Sequence, residues 1–249
     1  MMNEIIQSLF DRKSVRAFTD EAVSKEIKDL LVNSALQAPT AGNQAMYTII
    51  DVTNQELKDT LAKTCDNQAF IAKAPVVYIF LADQTRWVNS FKKAGAMPRK
   101  PGVGDLMLSL TDATIAAQNM VVAAQSLGLG SCYIGDILEK CEEHRKLLNL
   151  PMHVVPVCML VMGYPEEKQK TRTKPARISA NFLLGENTYP TLSDSQLEEW
   201  YQDRAEKENR KTIQPYNDYM QAFCKRKYNS AFSEEMTRSV LMYLKAFEE

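Results

Sequence analysis

One stretch limits the folds open to this chain more than any other. It runs from about Leu106 to Leu127, is the longest helical signal in the sequence, and ends at Gly128. Ala113, Ala116, Ala117, Ala123 and Ala124 give it a low-profile face suited to close packing. Such a segment reads as the central helix of a core, and the rest of the chain must supply the layers that cover it. With 249 residues, 45% of them hydrophobic, the chain is long enough for one large domain, or a domain with an extension, and too apolar for disorder.

The flanking segments supply those layers. Ile5, Ile6, Leu9 and Phe10 mark one helical face near the start. Ser24 reads as the N-cap of a helix from Lys25 to about Leu36, with Ile27, Leu30, Leu31 and Ala35 on its buried face. That helix stops before Pro39, and Ala38 to Gln44 form a tight polar turn. Met46 to Val52 reads as a strand, and Thr53-x-x-Glu56 as a capping box opening a helix to about Thr64. Val76 to Leu81 is a buried strand. Gln84 to Trp87 can start a helix, and the basic, Pro- and Gly-containing run from Lys92 to Gly104 reads as a mobile loop. Past the long helix come a strand (Gly130 to Ile134), a short helix (Cys141 to Leu148) and a buried strand (Val154 to Met162). In that last strand Pro156 lacks a ladder donor.

Residues 163–192 show little periodicity. Residues 193–249 read as a charged helical tail, with Leu197, Trp200 and Tyr201 in one helix and Val240, Leu241, Leu244 and Phe247 in another. Helices and strands alternate without a strict βαβ repeat. The expectation is an α+β sandwich: a central, mostly antiparallel sheet flanked by helices. Residues 1–192 form its main body and 193–249 a helical extension of the same domain.

Several function classes drop out. A net charge of -1 gives no bulk field toward nucleic acid or membrane. The N-terminus carries Glu4 and lacks a basic region followed by an apolar run, and no stretch approaches the length of a transmembrane helix. The five cysteines (Cys65, Cys132, Cys141, Cys158 and Cys224) are scattered without a CxxC, which suits free thiols in a reducing cytoplasm. His144 and His153 have no ligand-like spacing, so a zinc site is not expected. Gly128-Leu129-Gly130 follows a helix instead of preceding one, which fails the context of a dinucleotide fingerprint. No GxSxG elbow is present, and no cysteine is expected to act as a nucleophile.

What remains is Arg12-Lys13-Ser14-Val15-Arg16-Ala17-Phe18. In an extended chain alternate side chains share a face, which puts Arg12, Ser14 and Arg16 together. Two guanidiniums flanking a hydroxyl suit a ligand with a phosphate and further acceptor atoms. A solvated basic turn is the other reading of this stretch taken alone.

Further stretches, in order, turn this into a resemblance. They are Ala38-Pro39-Thr40-Ala41-Gly42-Asn43-Gln44; Gln68-Ala69-Phe70-Ile71; Gly128 to Gly135 (GLGSCYIG); and the closing series Gly163-Tyr164-Pro165, Lys174-Pro175-Ala176-Arg177 and Glu186-Asn187-Thr188-Tyr189. Together with the basic stretch, over about residues 3–192, they resemble the nitroreductase-like flavoproteins, which bind FMN. The tail is closer to the larger branch of NADPH-linked nitro- and flavin reductases.

The resemblance implies an FMN-dependent oxidoreductase. NAD(P)H would deliver hydride to the flavin, and a nitroaromatic, quinone or free flavin would then collect it at the same site by ping-pong kinetics. It implies no protein nucleophile and no metal, because the flavin carries the chemistry. Arg12 and Ser14 would meet the FMN phosphate and ribityl chain, with Lys13 nearby or contributing backbone. Arg16 would face the pyrimidine edge and stabilise the reduced flavin. Pro39, Thr40 and Asn43 would line the isoalloxazine and ribityl side, and Gln68 would hydrogen-bond the pyrimidine edge. Tyr133, Ile134 and Gly135 would cover the ring through backbone groups, and Lys174 or Arg177 would close on the phosphate. Arg204 and Arg210 resemble arginines used near the NADPH 2′-phosphate, a solvated helix end being the alternative. The family is dimeric with FMN between subunits, so a homodimer is expected, with the alanine-faced helix as the candidate interface. The partners implied are small-molecule acceptors, with no nucleic acid and no membrane. Two rivals are a flavin-binding store or sensor without turnover, and another reductive enzyme on the same fold, of dehalogenating or flavin-degrading type.

Overall fold

Side chains alternate along the second strand. Val76, Tyr78 and Phe80 enter one core cluster, and Val77, Ile79 and Leu81 enter another. That strand is therefore covered on both faces, and the architecture follows from it. The computed structural model describes residues 2–210 and 212–248. Four strands, β1 (Tyr47–Asp51), β2 (Val76–Asp83), β3 (Gly130–Ile134) and β4 (Val154–Gly163), pair antiparallel in the order β1-β2-β4-β3. The register places Tyr47 opposite Ala82, Val76 opposite Met162 and Gly130 opposite Gly163. Between Phe80 and Leu81 it slips: Phe80 faces Cys158 and Leu81 faces Pro156, leaving Val157 as a bulge beside the proline that cannot donate.

The chain divides into two compact units, residues 1–172 with 235–249, and residues 173–234, so the sequence boundary at 192 lies inside the second. The first unit holds α1 (Glu4–Asp11), α2 (Lys25–Leu36), α3 (Gln55–Thr64), α4 (Ala69–Lys73), α5 (Thr85–Lys93), α6 (Val103–Ser126), α7 (Cys141–Leu147) and α8 (Glu167–Thr171). The second holds α9 (Asp194–Lys207) and α10 (Tyr216–Lys227), while α11 (Ala231–Leu244) crosses the later boundary. One face of the sheet packs on α2 and α6 through Leu31, Ala35, Ala113, Ala117 and Met120. The other packs on α3 and α4 through Leu61, Cys65 and Ile71. Tyr243 and Phe247, at the chain's end, pack with Leu106 and Val155.

Several expectations need correction. Leu30 is 52% exposed, so the buried face of α2 is narrower than the spacing suggested. Asn54, not Thr53, caps α3: its side chain accepts from Leu57 N at 2.8 Å. The long helix starts at Val103, three residues early, because the Asp105 carboxylate accepts from Gly102 N at 2.8 Å and satisfies its first turn. That helix is also long and apolar enough to cross a membrane by length and composition, contrary to the expectation of no such stretch. Its apolar face instead lies in the core. Ala113, Ala116, Ala117 and Ala124 are fully buried against the chain's own sheet, so this face is not a subunit interface. Ile5, Leu9 and Phe10 on α1 are exposed, as are Met107 and Leu108 on α6.

Candidate cofactor site

The basic stretch lies along the outer edge of β3. Ser14 bridges Ser131 in parallel, and Val15 N donates to Ser131 O at 2.9 Å. Phe18 bridges Pro165, and Thr19 N donates to Tyr164 O at 2.9 Å. Two glycines paired across β3 and β4 permit this approach. A Cβ on Gly130 would fall 2.6 Å from the Val15 Cβ, and one on Gly163 would fall 3.1 Å from Phe18 Cδ1 and 2.7 Å from Pro75 Cδ. Val15 is buried, Arg12 and Ser14 are half-buried, and Arg16 is exposed.

The cations of this stretch have different partners. Arg12 lies 5.7 Å from the Tyr133 ring centroid, and its Nε and Nη2 are buried with no hydrogen-bond partner among the described residues. Lys13 Nζ instead donates to the carbonyls of Lys170 (2.6 Å) and Arg172, while Arg172 donates back to Ser14 O. These contacts clasp the stretch to the segment after β4. Arg16 lies 6.0 Å from the Phe70 ring centroid. Next to that ring in sequence, Gln68 commits both amide hydrogens of Nε2, to Cys65 O (2.9 Å) and Asp136 Oδ2 (3.0 Å). Its Oε1 is then what it can offer a ligand, as an acceptor. Tyr133 donates its hydroxyl to Gln118 Oε1 at 3.1 Å. Burial and then Cys158 raise its pKa against the opposing pull of Arg12, so it stays a neutral phenol. Ile134 is buried and Gly135 is exposed where the chain leaves β3. Burial also pushes the Cys65 and Cys158 thiols up to about 12, which keeps them protonated and poor nucleophiles.

The polar turn carries Pro39 and Asn43 exposed and Thr40 half-buried. Its backbone is left-handed at Gly42 (φ 59°), Asn43 (56°) and Ala45 (47°). The Thr40 hydroxyl donates to Asp112 Oδ2 and accepts from Ala45 N at 2.8 Å, so its proton stays inside the turn. Trp87 Nε1 donates to Gln44 O at 2.7 Å, and Arg86 Nη2 to Ala45 O at 2.5 Å.

In the second unit, Arg177 donates to Pro175 O at 3.0 Å, and Lys174 is half-buried. Arg204 and Arg210 both pair with Glu208, at 3.0 and 2.6 Å. Arg204 stacks over Phe223 at 5.6 Å, and Arg210 over Tyr219 at 4.5 Å. Neither is a freely solvated cation.

Sequence reasoning missed Asp112, Gln118, Asp136, Phe70 and Arg172. Only Asp112 left a signal, as the sole charged residue in the apolar run from Leu106 to Leu127.

A sequence profile of the nitroreductase family matches residues 9–164. The chain is 32% identical over 238 residues to an FMN reductase (NADPH) of Bacillus subtilis, covering 91% of this chain and 93% of that protein. It is 31% identical to an oxygen-insensitive NADPH nitroreductase of Salmonella typhimurium, covering 85% and 88%. Among solved structures it is similar to NfrA2 of B. megaterium, with a TM-score of 0.83, 30% identity and full coverage of both chains. The profile spans more than half of the chain, and the fold agrees with that of the solved relative: the chain belongs to the nitroreductase family.

Proposed function

We propose that this protein is an FMN-dependent oxidoreductase that uses NAD(P)H to reduce small-molecule acceptors such as nitroaromatics, quinones or free flavin. One observation carries the reading. Arg12 holds two buried guanidinium nitrogens without a partner, beside Ser14 on the edge of β3. A buried N–H left unpaired costs about 1–3 kcal/mol, and a phosphate oxygen is the acceptor that suits a guanidinium fork. The residues present therefore fit FMN. The similarity to an FMN reductase and to an NADPH nitroreductase supports the same cofactor and donor.

When bound, FMN supplies the hydride chemistry, passing two electrons from NAD(P)H to the acceptor in a ping-pong sequence at one site. The chain's own residues bind and orient it. Arg12 and Ser14 take the phosphate and ribityl end, and Lys13 keeps them in place through its bonds to residues 170 and 172. Arg16 sets a positive charge at the pyrimidine edge, where Gln68 offers an acceptor to a ring N–H. Pro39, Thr40 and Asn43 line the ribityl and ring side, with Thr40 acting through the turn that it braces. Tyr133, Ile134 and Gly135 cover the ring with backbone groups. Arg204 and Arg210 meet the NADPH 2′-phosphate, which takes over as acceptor from Glu208. The enzyme works in the cytoplasm, where NAD(P)H is supplied, and as a homodimer. Exposed Ile5, Leu9 and Phe10 on α1, with Met107 and Leu108 on α6, support a covering subunit. A monomer in sedimentation at micromolar concentration would overturn that last point.

The deciding experiment is the visible spectrum of the purified protein before and after anaerobic NADPH, followed by addition of a quinone or nitroaromatic. A bound flavin that bleaches and then recovers its colour is the expected result. A flavin that stays oxidised with NADPH and NADH alike favours a store or sensor. A protein that takes up no FMN removes the proposal.

A further inference from the structure

We propose that Asp112 is the positioning residue of the flavin site, presetting the turn from Ala38 to Met46 through three hydrogen bonds; this rests on the assignment of that turn to FMN. The turn does not hold its shape by local preference. Gly42 tolerates a positive φ, but Asn43 and Ala45 also adopt one, and Ala45 has no polar side chain to compensate. A backbone of this kind persists only where its surroundings over-determine it.

Asp112 is 2% exposed and reaches both ends of the turn. Its Oδ1 accepts from Ala41 N at 3.0 Å. Its Oδ2 accepts from Met46 N at 3.1 Å and from the Thr40 hydroxyl. That hydroxyl in turn receives Ala45 N, so one carboxylate holds Thr40, Ala41 and Met46 directly and Ala45 through Thr40, bracketing the left-handed residues Gly42 and Asn43. Among the described residues Asp112 has no ion pair, and these donors are its charge compensation. Six residues further along α6, Gln118 receives the Tyr133 hydroxyl. One rigid helix thereby sets the spacing between the turn and the end of β3, the two segments expected on either side of the ring.

A carboxylate is required chemically. Asparagine offers one acceptor oxygen, so either amide orientation points an NH2 at the N–H of Ala41 or of Met46. The test is the FMN dissociation constant of the apo-protein, read by quenching of flavin fluorescence. The variants are Asp112→Asn, Thr40→Val, Thr40→Ser and Asn119→Ala. Losing a charged hydrogen-bond set predicts binding weakened about ten- to hundredfold in Asp112→Asn. Thr40→Val weakens it similarly, the double variant is no weaker than the weaker single, and Thr40→Ser stays within about threefold of wild type. Asn119→Ala breaks the 3.3 Å bond from the same helix to Ser34 O; it lowers Tm and leaves FMN affinity unchanged. Amide exchange at Ala41 and Met46 speeds up in apo Asp112→Asn.

Unchanged affinity in Asp112→Asn, additive losses in the double variant, or equal weakening by Asn119→Ala overturns the proposal. If Asp112→Asn does not fold, the Thr40→Val and Thr40→Ser pair decides it. A wild-type protein that takes up no FMN brings down the cofactor reading itself, and this inference with it. Wild-type binding with unaffected variants brings down only this inference.

Discussion

Gly130→Ala tests whether the stretch proposed to bind the phosphate is seated on β3. The new Cβ would lie 2.6 Å from the Val15 Cβ and Cγ2 and 2.8 Å from Cγ1. Carbon atoms rest at about 3.5–4.0 Å, so roughly 1 Å of separation must open. Rotating Val15 cannot supply it, because the Val15 Cβ is itself one of the close atoms. The backbone must move instead, stretching the 2.9 Å bond from Val15 N to Ser131 O. Overpacking of this kind costs about 1–3 kcal/mol of folding stability. The same shift carries Arg12 and Ser14 away from β3. Misaligning a charge-assisted bond by that amount predicts FMN affinity down about ten- to hundredfold. Urea denaturation at constant m reads the first quantity, and flavin fluorescence titration reads the second. Val15→Ala in the same chain removes two methyl groups but keeps Cβ, so it restores both in part. If Gly130→Ala leaves stability and FMN affinity at wild-type levels, the stretch does not lie against β3 and the site is wrongly built.

Glu139 is buried with an unpartnered Oε1, and burial followed by the charges of Asp136, Asp66 and Glu235 pushes its carboxyl up to about 7. The folded state then holds its proton more tightly than the unfolded state, so stability is lost as pH rises from about 4.5 through 7. Glu139→Gln gains about 1–2 kcal/mol over wild type at pH 8 and almost nothing at pH 5, and equal gains in urea melts at both would contradict the assignment. Buried His144 donates Nδ1–H to Ile137 O at 3.0 Å and accepts from Thr64 at 2.8 Å, and burial lowers its pKa. Stability is thus lost as pH falls below about 6.5 toward that lowered value. His144→Phe lowers stability at pH 8 by roughly 1–3 kcal/mol and flattens the acid limb, which melts across pH 5–8 would show. Arg204→Ala and Arg210→Ala raise the KM for NADPH by about tenfold and leave that for NADH unchanged. An equal rise for both donors would refute the 2′-phosphate role.

Local signals fixed what is local. Ser24 and the apolar spacing after it give α2 its true limits, and Gly130 gives β3 its true start. Where two neighbours are chemically equivalent caps, as Thr53 and Asn54 are, the sequence does not choose between them, and the side chain that reaches Leu57 N does. The alanine face of α6 was legible as a close-packing face, but its partner was not. Small side chains say that something comes near, and here it is the chain's own sheet. Asp112 shows the same limit in polar chemistry. A lone acid in an apolar helix must be buried and bonded, yet its donors lie 66 to 72 residues away.

The sharpest case is a pair of neighbours. Arg12 and Lys13 are both cations of one motif, and the resemblance gives the phosphate to Arg12 and leaves Lys13 nearby or contributing backbone. Extended alternation puts Arg12 on the face shared with Ser14 and Arg16, and Lys13 on the other. The fold gives the two different partners. Lys13 meets two carbonyls of the segment after β4, and a side chain with its donors so occupied is structural. Arg12, held against Tyr133, keeps two buried N–H groups with no acceptor among the described residues. A native structure carries few such groups, and an uncompensated pair on a cation costs stability unless another molecule completes it. On the proposed reading the binding residue is the one that the fold leaves incomplete, and Arg12→Ala is expected to remove FMN affinity at little cost to the stability of the apo-protein. If the apo-protein instead loses stability as much as it loses FMN, Arg12 is part of the scaffold and the phosphate site lies elsewhere.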